Sequence, residues 1–428
     1  MEKLVVKGGK KLFGKTTVPT AKNALLPIIS AALMLDGESC IKQCPHLLDI
    51  AASRDIINSI GCTAILQNGN FSVIYSDSEI CEIPKELCCA MRSSVLYIAP
   101  LLYRRGKVTI HMPGGCRIGK RPIDIHIDGL CRMGAAVEYN GEKIVLSAPD
   151  GLKGINYKLR VPSVGATQTL LMAAATAKGI TVLKNCAREP EVVDLARFLS
   201  CAGAKITGAG RNEIIIRGVS SLGGVEYTPI PDRIFAATIL SAVNACGGIC
   251  CIKNYPLEYM ESFEKILRRT GLRILHLTDS ALVFKIRDIA ADINVHTGYY
   301  PAFSTDMGPL LSGALINNNG ILNMYETVFE NRFSYSSEFE KLGTHCTVDG
   351  RNYTQKKKRD VCAANLCAKD LRAGAATVVA SLAKRGCFAI EGVSYIDRGY
   401  EKIEDVFSAL GADIRRVPVD RQETDKTE

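Results

Sequence analysis

The segment from His111 to Pro122 reads His-Met-Pro-Gly-Gly-Cys-Arg-Ile-Gly-Lys-Arg-Pro, so one thiol is followed by three cations. Arg117, Lys120 and Arg121 favour the thiolate, which makes Cys116 the one cysteine of 17 whose neighbours suit proton transfer or nucleophilic attack. Adjacent glycines and two prolines predict an exposed loop. A second set of polar residues lies at predicted helix starts. Lys22, Arg92, Ser163, Asp232, Asp306 and Asp370 each stand 14 to 16 residues before a glycine that ends an apolar helix. Helix N-termini carry unsatisfied N–H groups and partial positive charge, so several converging on one cleft would bind anions. Ser163, Asp232 and Asp370 read equally well as N-caps. Lys22 and Arg92 do not, because a cation is repelled at that end and an anionic ligand would offset the cost.

One motif is a decoy. Gly9-Lys10-Lys11-Leu12-Phe13-Gly14-Lys15-Thr16 matches the phosphate-binding P-loop pattern letter for letter. That pattern works only where Lys-Thr opens a helix, and here Thr17-Val18-Pro19 follows, β-branched and then broken by proline. The expectation is a surface hairpin.

The elements that must carry these residues repeat six times. Gly61, Gly134, Gly203, Gly271, Gly343 and Gly411 each follow a helical stretch, at spacings of 73, 69, 68, 72 and 68 residues. Gly37, Gly106, Gly179, Gly248, Gly320 and Gly386 end a second, more apolar helix 23 to 28 residues earlier in each unit. Glycine suits a helix C-terminus that finishes in the left-handed region. Segments such as Gly179–Leu183 and Gly386–Ile390 are rich in β-branched and aromatic residues and predict strands. A unit of strand, helix, strand, helix and strand pair cannot bury its own sheet, so the units must pack on one another. The expected division is a first three-repeat domain over residues 20–230, carrying the Cys116 loop. Residues 1–19 and 231–418 form the second, with the initial strand closing the chain on the far half. Residues 419–428 are a polar tail expected to be disordered.

Composition excludes several classes. With 428 residues, 47% hydrophobic and 23% charged, the chain is an ordinary globular protein. Its net charge of +9 comes from 53 basic and 44 acidic residues spread along the chain, which suits small anionic substrates better than a nucleic-acid track. Seventeen cysteines are odd in number, lack Cys-x-x-Cys spacing and follow no signal segment, so they predict buried free thiols rather than disulfides or a metal site. No apolar run is long enough for a membrane span, and the expectation is a cytoplasmic protein with no membrane partner.

Lys22-Asn23, Pro113-Gly114-Gly115-Cys116, Arg121-Pro122-Ile123-Asp124-Ile125-His126, Ser163-Val164-Gly165-Ala166-Thr167, Pro301–Met307, Glu326–Phe333 and Asp397–Glu401 together resemble the UDP-N-acetylglucosamine 1-carboxyvinyltransferases. The likeness runs from the first strand to about Arg416. It implies an α/β fold, an inside-out α/β barrel of two pseudo-threefold domains built from six βαβαββ repeats, which is the enolpyruvyl transferase fold. It further implies transfer of the enolpyruvyl group of phosphoenolpyruvate to the 3-hydroxyl of UDP-N-acetylglucosamine, the first committed step of peptidoglycan synthesis. By this resemblance Lys22, Arg121 and Arg398 hold phosphoenolpyruvate. Asn23, Arg92, Arg121, Pro122, Ile123, Asp124, Ile125, His126, Ser163, Val164, Gly165, Asp306 and Val328 hold the nucleotide sugar, and Arg332, Asp370 and Arg372 are further substrate-binding residues. Asp306 takes the sugar proton and Cys116, on a lid, protonates the methylene, so that Cys116, Asp306, Lys22 and Arg398 form the catalytic set. The same thiol is the target of fosfomycin in the family. No cofactor, metal or nucleic acid is implied, and a regulatory protein partner is left open. Departures from the family pattern are Lys120, Phe235, Ser304 and Gly308. Two other readings compete: a UDP-sugar-binding regulatory paralogue with weakened catalysis, and a 3-phosphoshikimate 1-carboxyvinyltransferase, whose sites lack the Pro-Gly-Gly-Cys loop.

Overall fold

A computed structural model describes residues 2–114 and 123–419. Cys116, Lys120, Arg121, Pro122 and the tail from 420 lie outside the described residues.

Eleven of the twelve repeat glycines adopt positive φ, from 65° at Gly106 to 141° at Gly386; Gly320 does not. At Gly106 the left-handed residue directly caps the helix Ile98–Arg105. Each glycine turns the chain from a helix into a strand, and the strands gather in six small sheets, five of four strands and one of three. One plan recurs. In the sheet that begins the second half, Leu12–Thr17 runs parallel to Gly248–Lys253, which pairs antiparallel with Ser280–Lys285, itself antiparallel to Leu272–His276. The three-stranded sheet of Lys107–His111, Lys143–Ser147 and Ala136–Asn140 keeps the plan but reduces its parallel member to an isolated bridge between Glu82 and Thr109.

Helices fill the centre and sheets face outward. Leu371–Ala383 and Arg233–Cys246 are apolar nearly all round and buried along almost their whole length, as a helix must be when it has no solvent face. They pack on each other and on Gly308–Ala314. Buried apolar residues fall into two clusters, one drawn from Ala21 to Leu222 and one from Leu4 to Val18 together with Ile234 to Ile414. The two chain crossings between the clusters lie side by side: Ala21 N–H donates to the Ile230 carbonyl at 2.8 Å, and Asp232 N–H to the Pro19 carbonyl at 2.8 Å.

The surface hairpin expected at Gly9–Thr16 is not formed. Glu2–Gly8 pairs with Gly386–Glu391 and Asp413–Pro418, closing the chain, whereas Leu12–Thr17 belongs to a different sheet. The chain is steered by contact with the helix Leu371–Ala383: Gly9 N–H donates to Leu382 O at 2.8 Å, and a Cβ on Gly8 would stand 2.1 Å from Ser381 O. The cysteine expectation also needs correction. Every described cysteine is a free thiol, but only Cys44, Cys62, Cys88, Cys186 and Cys250 are buried, while Cys89, Cys201, Cys362, Cys367 and Cys387 are exposed. The exposed ones lie on helices (Cys89, Cys201), on strands (Cys367, Cys387) and beside a strand (Cys362), so cysteine content alone did not separate surface from core.

Candidate active site

The helix Lys22–Ala32 begins with the cation itself, with no side-chain cap and no acidic residue in its first turn. Lys22 is buried, and its Nζ lies 2.8 Å from Asp49 Oδ2. Asp49 sits in the first turn of Leu48–Ser59 and is itself buried. Its other oxygen accepts from Arg398 Nε at 2.8 Å, and Arg398 Nη2 is 3.4 Å from Oδ2. Lys22 and Asp49 belong to the first half and Arg398 to the second, so one carboxylate ties two cations across the crevice. Burial alone would push the Asp49 carboxyl up; Lys22 and Arg398 outweigh it and hold the group below the usual carboxylate range. Sequence reasoning missed Asp49, since an acidic residue in a first helical turn reads as an ordinary dipole partner. Neighbouring backbone bonds run along the same seam, from His46 N–H to Glu401 Oε2 at 2.9 Å and from Leu48 N–H to Asp397 O at 3.2 Å. Arg416 grips Asp397 with two bonds of 2.9 and 2.7 Å, which fixes the segment that presents Arg398.

Asp306 lies in a short 3₁₀ turn, Thr305–Met307, ahead of Gly308–Ala314. Arg332 Nη2 reaches Asp306 Oδ1 at 2.5 Å, and Arg372 Nη2 reaches Oδ2 at 3.5 Å. Both arginines are buried. Burial opposes the charge on Arg372, and the Asp306, Tyr400 and Asp232 oxygens more than restore it. Tyr400, two residues beyond Arg398, also bonds Thr238 at 2.7 Å. Tyr400, Arg372, Asp306 and Arg332 therefore form one connected set, with Arg398 two residues before Tyr400 in the chain. A second cross-crevice ion pair, Arg233 Nε to Glu191 Oε1 at 3.0 Å, stands nearby.

The remaining predicted residues divide. Ser163 caps Val164–Ala175, accepting from Ala166 N–H at 3.3 Å, and Asp370 caps Leu371–Ala383, accepting from Arg372 and Ala373 N–H at 2.9 Å each. Asp232 is likewise a cap. Asn23 is half-buried beside Lys22. The Ile123 and Ile125 side chains join the first core, with Val164 packed against it. Asp124 pairs with Arg160. Val328 N–H donates to Glu326 Oε1 at 2.7 Å, which leaves its carbonyl as the group it offers. Arg92 opens the 3₁₀ helix Arg92–Tyr97. At Gly308, named above as a departure, a Cβ would come 3.0 Å from Met324 Sδ.

His126 lies beneath this first-half wall, its Nδ1 2.9 Å from Thr169 Oγ1 and its Cε1 3.1 Å from where a Cβ on Gly165 would be. Burial first, and the Arg92 charge second, push it from 6.5 down to about 3. A folded pKa below the unfolded one means that protonation favours the unfolded chain. Its contribution to stability is therefore full above pH 6.5 and falls as pH drops towards about 3. In an NMR titration the His126 imidazole, assigned with His126→Gln, is expected to stay neutral from pH 8 to about pH 5. A midpoint near 6.5 would contradict this placement.

No group of three His, Cys, Asp or Glu suited to a metal occurs among the described residues. The arrangement sets cations from both halves of the chain on Asp49 and two buried arginines on Asp306, groups whose chemistry suits a small polyanion and proton acceptance.

The fold is that of the enolpyruvyl transferases. The solved structure of the enolpyruvyl transferase NikO from Streptomyces tendae superimposes with a TM-score of 0.87 at 24% identity, covering 97% of this chain and 98% of that one. The EPSP synthase of Acinetobacter baumannii matches with a TM-score of 0.75 at 17% identity, covering 98% and 100%. The family model for EPSP synthase (3-phosphoshikimate 1-carboxyvinyltransferase) matches residues 6–407. Within that class, the UDP-N-acetylglucosamine 1-carboxyvinyltransferase 2 of Caldanaerobacter subterraneus subsp. tengcongensis is 39% identical over 418 residues, 97% of this chain and 100% of the relative. The UDP-N-acetylglucosamine 1-carboxyvinyltransferase 1 of Staphylococcus aureus strain MRSA252 is 38% identical over 420 residues, with 97% and 100% covered. This chain belongs to the UDP-N-acetylglucosamine 1-carboxyvinyltransferase family, as its motifs implied.

Proposed function

We propose that this protein transfers the enolpyruvyl group of phosphoenolpyruvate to the 3-hydroxyl of UDP-N-acetylglucosamine and releases phosphate. The observation that carries the reading is two ion-paired clusters of cations, the buried Lys22 and half-buried Arg398 on Asp49 from the two halves of the chain, and the buried Arg332 and Arg372 on Asp306. Phosphoenolpyruvate brings a carboxylate and a phosphate that need such cations, and Lys22 and Arg398, with Arg121, supply them. Asp306, paired with Arg332 and Arg372, accepts the proton of the sugar hydroxyl as its oxygen bonds to C2 of the enol. Cys116 delivers a proton to the methylene, giving a tetrahedral phosphate-bearing intermediate. Loss of a methyl proton then restores the double bond and expels phosphate. Asn23, Arg92, the 121–126 stretch, Ser163 to Gly165, and Val328 hold the nucleotide sugar, whose diphosphate suits the helix starts.

The two apolar cores are the two domains of this machine, 20–230 and 1–19 with 231–418, closing over the substrates. The reaction is the entry to peptidoglycan synthesis and takes place in the cytoplasm, with small molecules as the reacting partners. Fosfomycin added with UDP-N-acetylglucosamine is expected to label Cys116 alone among the 17 cysteines and to abolish turnover. Cys116→Asp should escape the label, since a carboxylate is a far weaker nucleophile towards the epoxide. Labelling elsewhere, or turnover indifferent to the drug, would sink the assignment of the acid.

A further inference from the structure

Among the six outward sheet faces, one differs in kind. In the sheet of Leu12–Thr17, Gly248–Lys253, Ser280–Lys285 and Leu272–His276, the register aligns Phe13, Ile249, Phe284 and Arg273 in one row and Lys15, Cys251, Leu282 and Leu275 in the next. Alternate residues point out, because Leu12, Cys250, Val283 and Ile274 between them are buried. Phe13 is 55% exposed, Ile249 49% and Leu275 54%. The outward series continues at the strand ends with Leu277, 56% exposed, and Ile286, 68% exposed.

Cations dominate the strands of this face: Lys11, Lys15, Lys253 and Arg273 are all exposed and the two aligned rows contain no carboxylate, while the exposed Asp279 and Asp288 lie in the turns beyond the strands, Asp288 paired with Lys285. Each of the other five sheets exposes one, at Glu38, Glu138, Glu213, Asp349 or Glu391. A contiguous apolar patch with a basic rim marks an interaction site rather than ordinary surface.

We propose that this face docks on an anionic lipid surface, so that the enzyme works against a membrane that it does not cross. The charges choose the occupant. A second copy laid face to face would set lysine against lysine, whereas a layer of acidic headgroups neutralises all four cations at once. The apolar side chains stand proud of a twisted sheet instead of lining a groove, which suits a fluid headgroup layer that moulds around Phe13, Leu277 and Ile286. Long Lys and Arg side chains keep their heads among the phosphates while those residues enter the acyl boundary. This goes against the expectation of no membrane partner, which rested on the lack of an apolar run; among the described residues no helix is long and apolar enough to cross a membrane. Surface docking needs neither.

The full chain is to be sedimented with vesicles of equal parts phosphatidylcholine and phosphatidylglycerol, and with phosphatidylcholine alone. Partition is expected only with the anionic vesicles and should weaken as salt is raised. Leu277→Ser/Ile286→Ser and Lys253→Gln/Arg273→Gln should each lower the partition coefficient by about tenfold or more while turnover in solution and thermal unfolding stay at the wild-type level. No partition of the wild type, or partition indifferent to both double variants, overturns the proposal. A concentration-dependent dimer in light scattering that the same variants dissolve also overturns it and gives the face to a second copy.

Discussion

Asp306→Asn is expected to lower kcat by about 10²- to 10⁴-fold, the usual worth of a positioned general base, while the KM for both substrates changes far less. The asparagine keeps the shape but cannot accept the sugar proton. It also removes the negative charge facing Arg332 and Arg372, whose side chains are only 1% and 6% exposed. A loss of that size corresponds to about 3 to 5 kcal/mol of transition-state stabilisation. Steady-state rates at saturating levels of both substrates check it. Turnover within a few-fold of wild type would remove Asp306 from the base role.

Asp49→Ala should harm both stability and phosphoenolpyruvate binding. The carboxylate neutralises Lys22 and Arg398, whose side chains are 9% and 16% exposed, and truncation leaves two cations facing each other across the crevice. Removing one partner of a buried ion pair typically costs about 3 to 5 kcal/mol, and the figure here lies toward the low end because added anions can enter. Phosphate or phosphoenolpyruvate should therefore raise the melting temperature of the variant more than that of the wild type. The pH dependence has a definite sign. The folded carboxyl lies below its unfolded value, so its contribution is complete above the ordinary carboxylate pKa of about 4 and is lost as pH falls through the lowered folded value. Asp49→Asn should flatten that acid limb. Equal melting temperatures and equal anion responses in wild type and variant would contradict the bridge.

The sequence showed the architecture because the repeat leaves its mark on the backbone. Glycines at a period near seventy residues require left-handed turns, and eleven of the twelve make them. Lys22 stood out for a related reason, since a cation at an uncapped helix start conflicts with the dipole; the anion beside it in the fold is Asp49, at 2.8 Å. Ser163 and Asp370 carried two meanings, and the hydrogen bonds show the capping one without touching what their backbone offers a ligand. Asp49 was hidden because its importance comes from Arg398, 349 positions away, and nothing local reports such a partner. The path of residues 8 to 12 was hidden likewise: Gly8 and Gly9 are shaped by the carbonyls of Ser381 and Leu382, so a hairpin rule based on neighbours in the chain could not see them. The basic, carboxylate-free sheet face needed the register of four strands drawn from both ends of the chain.

Phosphate release from phosphoenolpyruvate, measured with each acceptor in turn, reaches the central claim most directly. UDP-N-acetylglucosamine should trigger release of one phosphate per sugar consumed, and shikimate 3-phosphate none. Release with shikimate 3-phosphate would assign the crevice to the other branch of the fold, and tight UDP-sugar binding without any phosphate would make this a binding protein instead of a transferase.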